Sequence, residues 1–304
     1  MTVEAVGMMS AGSAALVTGL IFGRERFTAA SGAGRVLVLG PVCEATALAM
    51  FAAEHFTAAH ELMGVVPKWL PGHLFWTYLV GAALLAAAIS FITWRQVRWS
   101  ASMLALFFLI IVATLDLANI SGQMHDRFFW ILTVRETSFA SGAMVLAGSV
   151  WPRESWASAA LVRVGRSVVA LVMIFYATQH FLFPRHVPGV PLEKLIPGWV
   201  PAPVVLSWAV GVALLAGGIG LLIRPAVRMA AAGAGIVLVL LTIFFYVPIL
   251  ATEIHSALVI EGLNYVGDTL LFAATVLLAG LGADQRVRVS APKREETAAR
   301  PCGI

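Results

Sequence analysis

Charged residues are scarce in this sequence. They make up 12% of the chain, whereas about a quarter of the residues of a water-soluble domain are charged. In their place, 60% of the residues are hydrophobic and the mean hydropathy is +0.90. This composition excludes a soluble globular protein and predicts an integral membrane protein whose main partner is the lipid bilayer.

Cysteine is almost absent as well. The two cysteines, Cys43 and Cys302, lie far apart in the sequence, and the chain has no CxxC motif. Thiol–disulfide redox enzymes that pass electrons to a quinone use closely spaced cysteine pairs. The sequence therefore argues against that class of enzyme.

Eight apolar runs are long enough to cross a hydrocarbon core, which needs roughly 20 helical residues. They cover residues 36–57, 74–94, 100–118, 133–151, 161–183, 202–223, 227–250 and 264–282. No alternation typical of a membrane β-barrel accompanies them, so we expect helices. Residues 1–34 are expected to form either a ninth, weaker helix with its N-terminus outside or an interfacial segment, followed by a linker.

One stretch of the sequence occurs twice. His-Phe, PxWxP, GxALLA and an acidic residue followed by Thr recur in the same order, at offsets of 125 to 132 residues. The copies begin at His55 and His180, Pro67 and Pro197, Gly81 and Gly211, and Glu136 and Asp268. We therefore predict two tandem four-helix units, 35–152 and 160–282, and a disordered cytoplasmic tail, 283–304.

The basic residues predict the orientation of the chain. Assigning the loops to alternate sides places fifteen Lys and Arg residues on one side and five on the other. This positive-inside bias predicts a cytoplasmic C-terminus and outward-facing PxWxP loops in a bacterial inner membrane. Two units with an even number of spans insert the same way, so a pseudo-twofold axis along the membrane normal would relate them. The net charge of +4 reflects topology, and no nucleic-acid partner is expected.

Two tryptophans mark the PxWxP loops. The loops around Trp69 and Trp199 carry apolar residues that predict segments folded back onto the outer surface of the bilayer. The tryptophans are interpreted either as membrane anchors at headgroup depth or as the mouth of a binding cavity.

Glu44 is an ionisable residue near the middle of the first span. A charge at that depth costs at least about 2.5 kcal/mol, which makes a functional role the default hypothesis. The alternative is a protonated or hydrogen-bonded carboxyl group inside the bundle. Val169 occupies the matching position of the second unit, so only one half carries this group.

The remaining ionisable side chains concentrate at the outward ends of the spans. This layer contains Glu54, His55, Asp116, Glu136, His180, Glu253, His255 and Asp268. Carboxylates and imidazoles there could exchange protons with a quinone or bind a polar headgroup. The alternative is that polar residues simply lie near water. Glu136 and Asp268 are in addition expected to lie at the N-termini of the fourth spans, where acidic side chains favour the helix dipole.

The histidines do not favour a haem or metal site. His55 and His180 occupy equivalent positions, and paired axial imidazoles are chemically reasonable. However, both lie at the edge of a span, and no pair of histidines is spaced four residues apart within a span.

The recurring motifs resemble the DoxX and DoxX-like family of four-helix membrane proteins. The chain looks like two such units fused, and the matching positions are Glu54, His55, Pro67, Trp69, Pro71, Glu136, His180, Pro197, Trp199, Pro201 and Asp268. Gln179 replaces the acid found at Glu54, which sets the second site apart. The resemblance implies a membrane subunit associated with quinone-linked redox complexes, although many members have no established activity.

Three functions follow as hypotheses. The first is a redox-associated subunit that meets a quinone or a partner oxidoreductase at the outer layer. The second is a transporter or binding protein for a small molecule or lipid, with its site at the interface between the two repeats. The third is a structural assembly subunit without chemistry.

Overall fold

The computed structural model describes residues 1–152, 155–190 and 192–282, so the predicted tail and Cys302 lie outside the described residues. Nine long helices and no strands are found in this part of the chain. The helices are α1 (Val3–Ala29), α2 (Gly40–Thr57), α3 (His73–Thr93), α4 (Val97–Ile111), α5 (Arg127–Val150), α6 (Trp156–Leu182), α7 (Pro203–Leu222), α8 (Val227–Leu241) and α9 (Val259–Ala279).

Eight of the long helices in the described ranges are apolar enough to cross a membrane. The exception is α5, which carries Arg135 and Glu136 and has 24 residues. At 1.5 Å per residue it is about 36 Å long, sufficient to span the bilayer core. The protein is thus a polytopic helical membrane protein, which confirms the predicted fold class at this level.

The N-terminal segment is a full-length helix that packs along α2 in the opposite direction. Gly7 lies against Thr57 at one end, and Gly19 lies against Val42 at the other. The buried face of α1 consists mainly of small residues (Ala5, Met8, Gly12, Ala15, Gly19 and Gly23). Small residues allow close helix packing within a membrane. Helix α1 is also among the helices long and apolar enough to cross a membrane.

Helices α2 to α9 form a closed ring. Each packs against the next in the chain, α9 packs back against α2, and α5 and α9 meet across the centre. Because α2 packs on α9 and α6 packs on α5, the two predicted units contact each other at both of their ends. The most buried of the membrane-length helices is α9, followed by α2 with its preceding turn. Polar residues on α2, α5 and α9 therefore meet in the interior.

Helices α4 and α8 end with the same local distortion. A π-helical turn follows α4 at Val112–Asp116, and another follows α8 at Thr242–Tyr246. Short helices continue beyond them to Gln123 and Glu253. The predicted ends at residues 118 and 250 were therefore too early. Such π-turns are often found at functional sites.

The start of the fourth span of each unit was also placed wrongly. Helix α5 begins at Arg127, and α9 begins at Val259. Glu136 and Asp268 therefore lie more than two turns inside their helices. The prediction that they lie at helix N-termini is wrong, since a helix terminus influences only its first turn.

The two PxWxP loops differ in depth. Residues 58–72 form a short helix and a 3-10 turn, Ala59–Leu62 and Met63–Val65, and stay mostly at the surface. In contrast, residues 187–190 of the second loop are buried among the helices. The predicted segment on the bilayer surface did not include burial of the second loop inside the bundle.

A cavity at the loop end of the bundle

The ends of α2, α5 and α9 and the loop between α6 and α7 line an open cavity. Its volume is about 870 Å³. The lining residues are Phe51, Glu54, Leu62, Phe128, Leu132, Arg135, Leu192, Glu193, Lys194, Glu261, Asn264, Tyr265 and Asp268. We call this space the loop-end cavity. It combines an apolar wall with several ionisable side chains, as small-molecule sites usually do.

An ion pair joins α5 and α9 at this cavity. Arg135 Nη1 lies 2.5 Å from Asp268 Oδ2, and its Nη2 lies 3.5 Å from Glu136 Oε1. The side chains of Arg135 and Asp268 are only 17% and 12% exposed. A charge removed from water needs a partner of opposite sign. The pair therefore stabilises both charges and fixes the two helices to each other.

Glu54 and Asn264 form a second polar link, between α2 and α9. Asn264 Nδ2 donates a hydrogen bond of 3.0 Å to Glu54 Oε1. Glu54 is 7% exposed, and none of the ion pairs found in the described ranges involves it. This carboxyl group is thus bound by a neutral amide rather than by a cation.

Lys194 connects the second loop to the bundle over the cavity. Its Nζ lies 2.8 Å from Glu253 Oε1 and 3.5 Å from Glu261 Oε1. The same atom lies 5.4 Å from the centre of the Tyr265 ring, within range of a cation–π interaction. One loop cation therefore contacts two carboxylates and an aromatic ring of the bundle.

The buried part of the second loop is held by hydrogen bonds between its backbone and side chains of the bundle. Tyr246 Oη donates to the carbonyl oxygen of Pro188 at 2.5 Å, and the Gly189 N–H donates to His180 Nε2 at 2.9 Å. Gly189 has φ of +95° and lies against Leu241. Glycine is the residue that adopts this conformation without steric cost.

His180 serves as a structural residue in this arrangement. Because Nε2 accepts from Gly189, Nδ1 carries the proton and donates to the carbonyl oxygen of Tyr176 at 2.6 Å. The side chain is 1% exposed. Both ring nitrogens are therefore occupied by backbone groups, and His180 does not line the cavity.

His55 makes a similar contact in the first half. Its Nδ1 lies 2.8 Å from the carbonyl oxygen of Phe51, four residues earlier. Gly81 packs against His55, just as Gly211 packs against His180. His55 is half-buried and also lies outside the cavity lining.

The remaining predicted site residues are distributed around the cavity and beyond it. Of the nine candidates, Glu54 and Asp268 line the cavity, and Glu136 contacts its ion pair. Asp116 interacts with Glu136 next to the π-turn. Trp69 and Trp199 are 70% and 53% exposed at the surface of their loops.

Glu44 lies deeper, ten residues before Glu54 on α2. That spacing is about 15 Å along a helix. Glu44 is 3% exposed, and its Oε2 has no hydrogen-bond partner among the described residues. The structure therefore separates Glu44 from the loop-end cavity.

Six polar cavity residues were not predicted as site residues, namely Arg135, Glu193, Lys194, Glu261, Asn264 and Tyr265. Arg135 and Lys194 were counted only as outer-side charges in the topology, and Asn264 was not considered. A signal existed for Arg135, because an arginine near the middle of a helix of spanning length is rare without an internal partner. Lys194 carries no such local signal, since a lysine in a loop is ordinary. Among the described residues, no group of three or more His, Cys, Asp or Glu side chains could hold a metal ion.

Comparison with known proteins gives one family match. A family model described as a domain of unknown function, DUF8561, matches residues 45–128. This range runs from α2 to the first residues of α5. No curated protein and no solved structure matches the chain significantly.

Proposed function

We propose that this protein binds an amphipathic small molecule in the loop-end cavity. The cavity of about 870 Å³, with the buried Arg135–Asp268 ion pair in its wall, is the observation that carries the proposal. Phe51, Phe128 and Leu132 provide an apolar surface beside these charges. Preformed cavities with apolar walls and a few fixed polar groups are the usual form of ligand sites.

The cavity lies between the two predicted repeats, which makes the repeats part of the proposal. Two features support a duplicated unit with a pseudo-twofold axis. The π-turns are separated by 130 residues, as are the PxWxP motifs. In addition, the packing of α2 on α9 has its counterpart in that of α6 on α5. A site at the interface of two repeats is common in membrane transporters.

The proposed orientation directs the cavity outward. The basic residues that favour a cytoplasmic location lie in the short connections, or in the first turn of the next helix, at the helix ends opposite the cavity; examples are Arg95, Arg98, Arg224 and Arg228. The positive-inside rule then assigns the cavity to the outer surface of the inner membrane. DoxX-like membership remains a prediction in this proposal.

The experiment uses a substitution that fills the cavity. The full chain and its Leu132→Trp variant are purified from native membranes and reconstituted in nanodiscs, and bound compounds are extracted and identified by mass spectrometry. We expect at least one amphipathic compound in the wild type and its loss in Leu132→Trp. Leu79→Trp is the matched control, because Leu79 is exposed on the outside of α3.

Thermal unfolding of each variant confirms that it is folded. Equal amounts of every bound compound in wild type, Leu132→Trp and Leu79→Trp would overturn the proposal. So would a wild-type protein that retains no compound beyond the bulk lipid.

A quinone-linked redox role is the second candidate. Glu54 is a carboxyl group next to the aromatic rings of Phe51 and Phe128, a combination suited to proton exchange with a quinone ring. The same extraction tests this role, because a quinone would be recovered from the wild type and depleted in Leu132→Trp. Recovery of a different compound from the cavity would reject it.

A further inference from the structure

We infer that the ligand of the loop-end cavity carries a protonated amine that binds next to Glu54. This inference rests on the proposed binding function and specifies the class of ligand. It starts from the charge of the cavity wall, which contains four acidic residues (Glu54, Glu193, Glu261 and Asp268) and two basic ones (Arg135 and Lys194).

Both basic side chains are already engaged. Arg135 contacts Asp268 and Glu136, and Lys194 contacts Glu253 and Glu261. Each cation thus faces two carboxylates. Arg127 interacts electrostatically with Glu193. The carboxylates that contact Arg135 and Lys194 still outnumber these two cations, and a cationic ligand would restore the balance.

Among the acidic residues of the cavity wall, Glu54 shows the shortage of nearby positive charge most clearly. It is more than nine-tenths buried and lines the cavity. Within the described ranges, its side chain receives a hydrogen bond only from the neutral amide of Asn264. Asn264 Oδ1 is itself buried without a donor among the described residues. Buried polar atoms normally have partners, so two neighbouring acceptors call for a group that donates N–H bonds. A primary ammonium group supplies both the donors and the positive charge.

The apolar part of the cavity wall determines the chemistry of the ligand beyond its amine. Phe51, Phe128 and Leu132 offer aromatic and aliphatic surface within the same cavity. Aromatic rings near a carboxylate also attract cations through their faces. The complementary ligand is therefore an amine with an apolar body. Such an amine could be a free arylalkylamine or the headgroup of an aminophospholipid.

The test compares two probes that differ only in the charged group. The full chain, in nanodiscs of phosphatidylcholine, is titrated with 4-phenylbutylamine and with 4-phenylbutan-1-ol by calorimetry. We expect the amine to bind roughly tenfold more tightly, because a hydrogen bond to a charged group contributes about 1.5 kcal/mol or more. Glu54→Gln should remove this preference, so that the variant binds the amine no more tightly than the alcohol. Glu61→Gln, in an exposed segment outside the cavity, should retain the preference.

A second arm distinguishes the source of the amine. Phosphatidylethanolamine in the nanodisc should weaken binding of 4-phenylbutylamine if its headgroup occupies the site, and should have no effect if the natural ligand is a free amine.

Equal affinity of the wild type for both probes would overturn the inference and leave the binding function intact. Binding of neither probe would overturn both. The comparison of probes on the wild type remains valid even if Glu54→Gln fails to fold.

Discussion

The ring of Phe51 on α2 packs directly against the backbone of Gly267 on α9. A Cβ atom at Gly267 would lie 2.8 Å from the Cζ atom of that ring. Gly267 is followed by Asp268 of the central ion pair, and Phe51 lies in the cavity wall. The absence of a side chain at one position thus permits α2 and α9 to approach closely beside the cavity.

Gly267→Ala is expected to destabilise the protein by about 1–3 kcal/mol, the usual cost of overpacking a well-packed core. The added methyl group must displace the Phe51 ring. Thermal unfolding in detergent would measure the effect. Gly233→Ala is the matched control, because a Cβ at that helical glycine meets nothing within 4 Å. A loss at Gly267 no larger than the change at Gly233 would contradict the proposed packing.

Arg135→Met is expected to cost about 3–5 kcal/mol, since it leaves Asp268 buried without its cation. The double variant Arg135→Met with Asp268→Leu should recover part of this loss, because both charges are then absent. Chemical denaturation of the wild type, of the single variants Arg135→Met and Asp268→Leu, and of the double variant would complete the double-mutant cycle. Lys68→Met, at an exposed loop position, should have little effect. Simple additivity of the two single losses would show that the ion pair is not coupled.

Gly189→Ala is expected to loosen the buried part of the second loop. Its φ of +95° strains any residue with a side chain, and an added Cβ would lie 2.8 Å from Leu241. Hydrogen exchange should become faster at the Gly189 amide, which donates to His180. Gly198→Ala in the same loop is the control, because a Cβ there meets nothing within 4 Å. Unchanged exchange in Gly189→Ala would contradict the assigned role of His180 as an anchor.

Glu44→Met is expected to raise the free energy of unfolding by about 1 kcal/mol. It removes a buried oxygen that has no partner among the described residues, and such a group costs more than an apolar side chain of similar shape. Glu54→Met should have the opposite effect, because it deprives Asn264 of its hydrogen bond. A destabilised Glu44→Met variant would indicate that Glu44 has a partner in the folded protein. Counterflow in proteoliposomes with Glu44→Gln would then test a role in transport.

Trp69 and Trp199 are expected to lie on the same side of the membrane. The cavity is lined by residues adjoining both loops, including Leu62 and Leu192. Single cysteines introduced at the two tryptophans should therefore react with a membrane-impermeant thiol reagent from the same side. Labelling from opposite sides would refute the arrangement and with it the outward cavity.

The apolar runs were sufficient to predict the helical membrane fold, because hydrophobic length is a local property of the sequence. Helix starts were harder to place, and the first residues of α5 and α9 were assigned to loops. The predicted span began at residue 133, whereas Asp126 caps α5 by accepting a hydrogen bond from the amide of Phe128. Capping is a weak signal in a chain dominated by apolar residues.

The site was predictable only in part. Glu54, Glu136 and Asp268 stood out because acidic residues are rare near the spans. Their partners were not evident, since Arg135 and Asp268 are 133 residues apart and Glu54 and Asn264 are 210 apart. Only the closure of the ring brings them together, and no local pattern encodes it. Likewise, nothing in the PxWxP repeat distinguishes the loop that enters the bundle from the one that stays outside.

The contact between α9 and α2 also constrains biosynthesis. While the ribosome is still translating α8, α9 has not yet been made. The face of α2 that carries Glu54 must then contact lipid or the translocation machinery instead of α9. The last membrane helix to emerge therefore completes the first half of the protein. Polypeptides divided between α5 and α6 should accumulate only when both fragments are coexpressed, because each supplies the other with a missing wall.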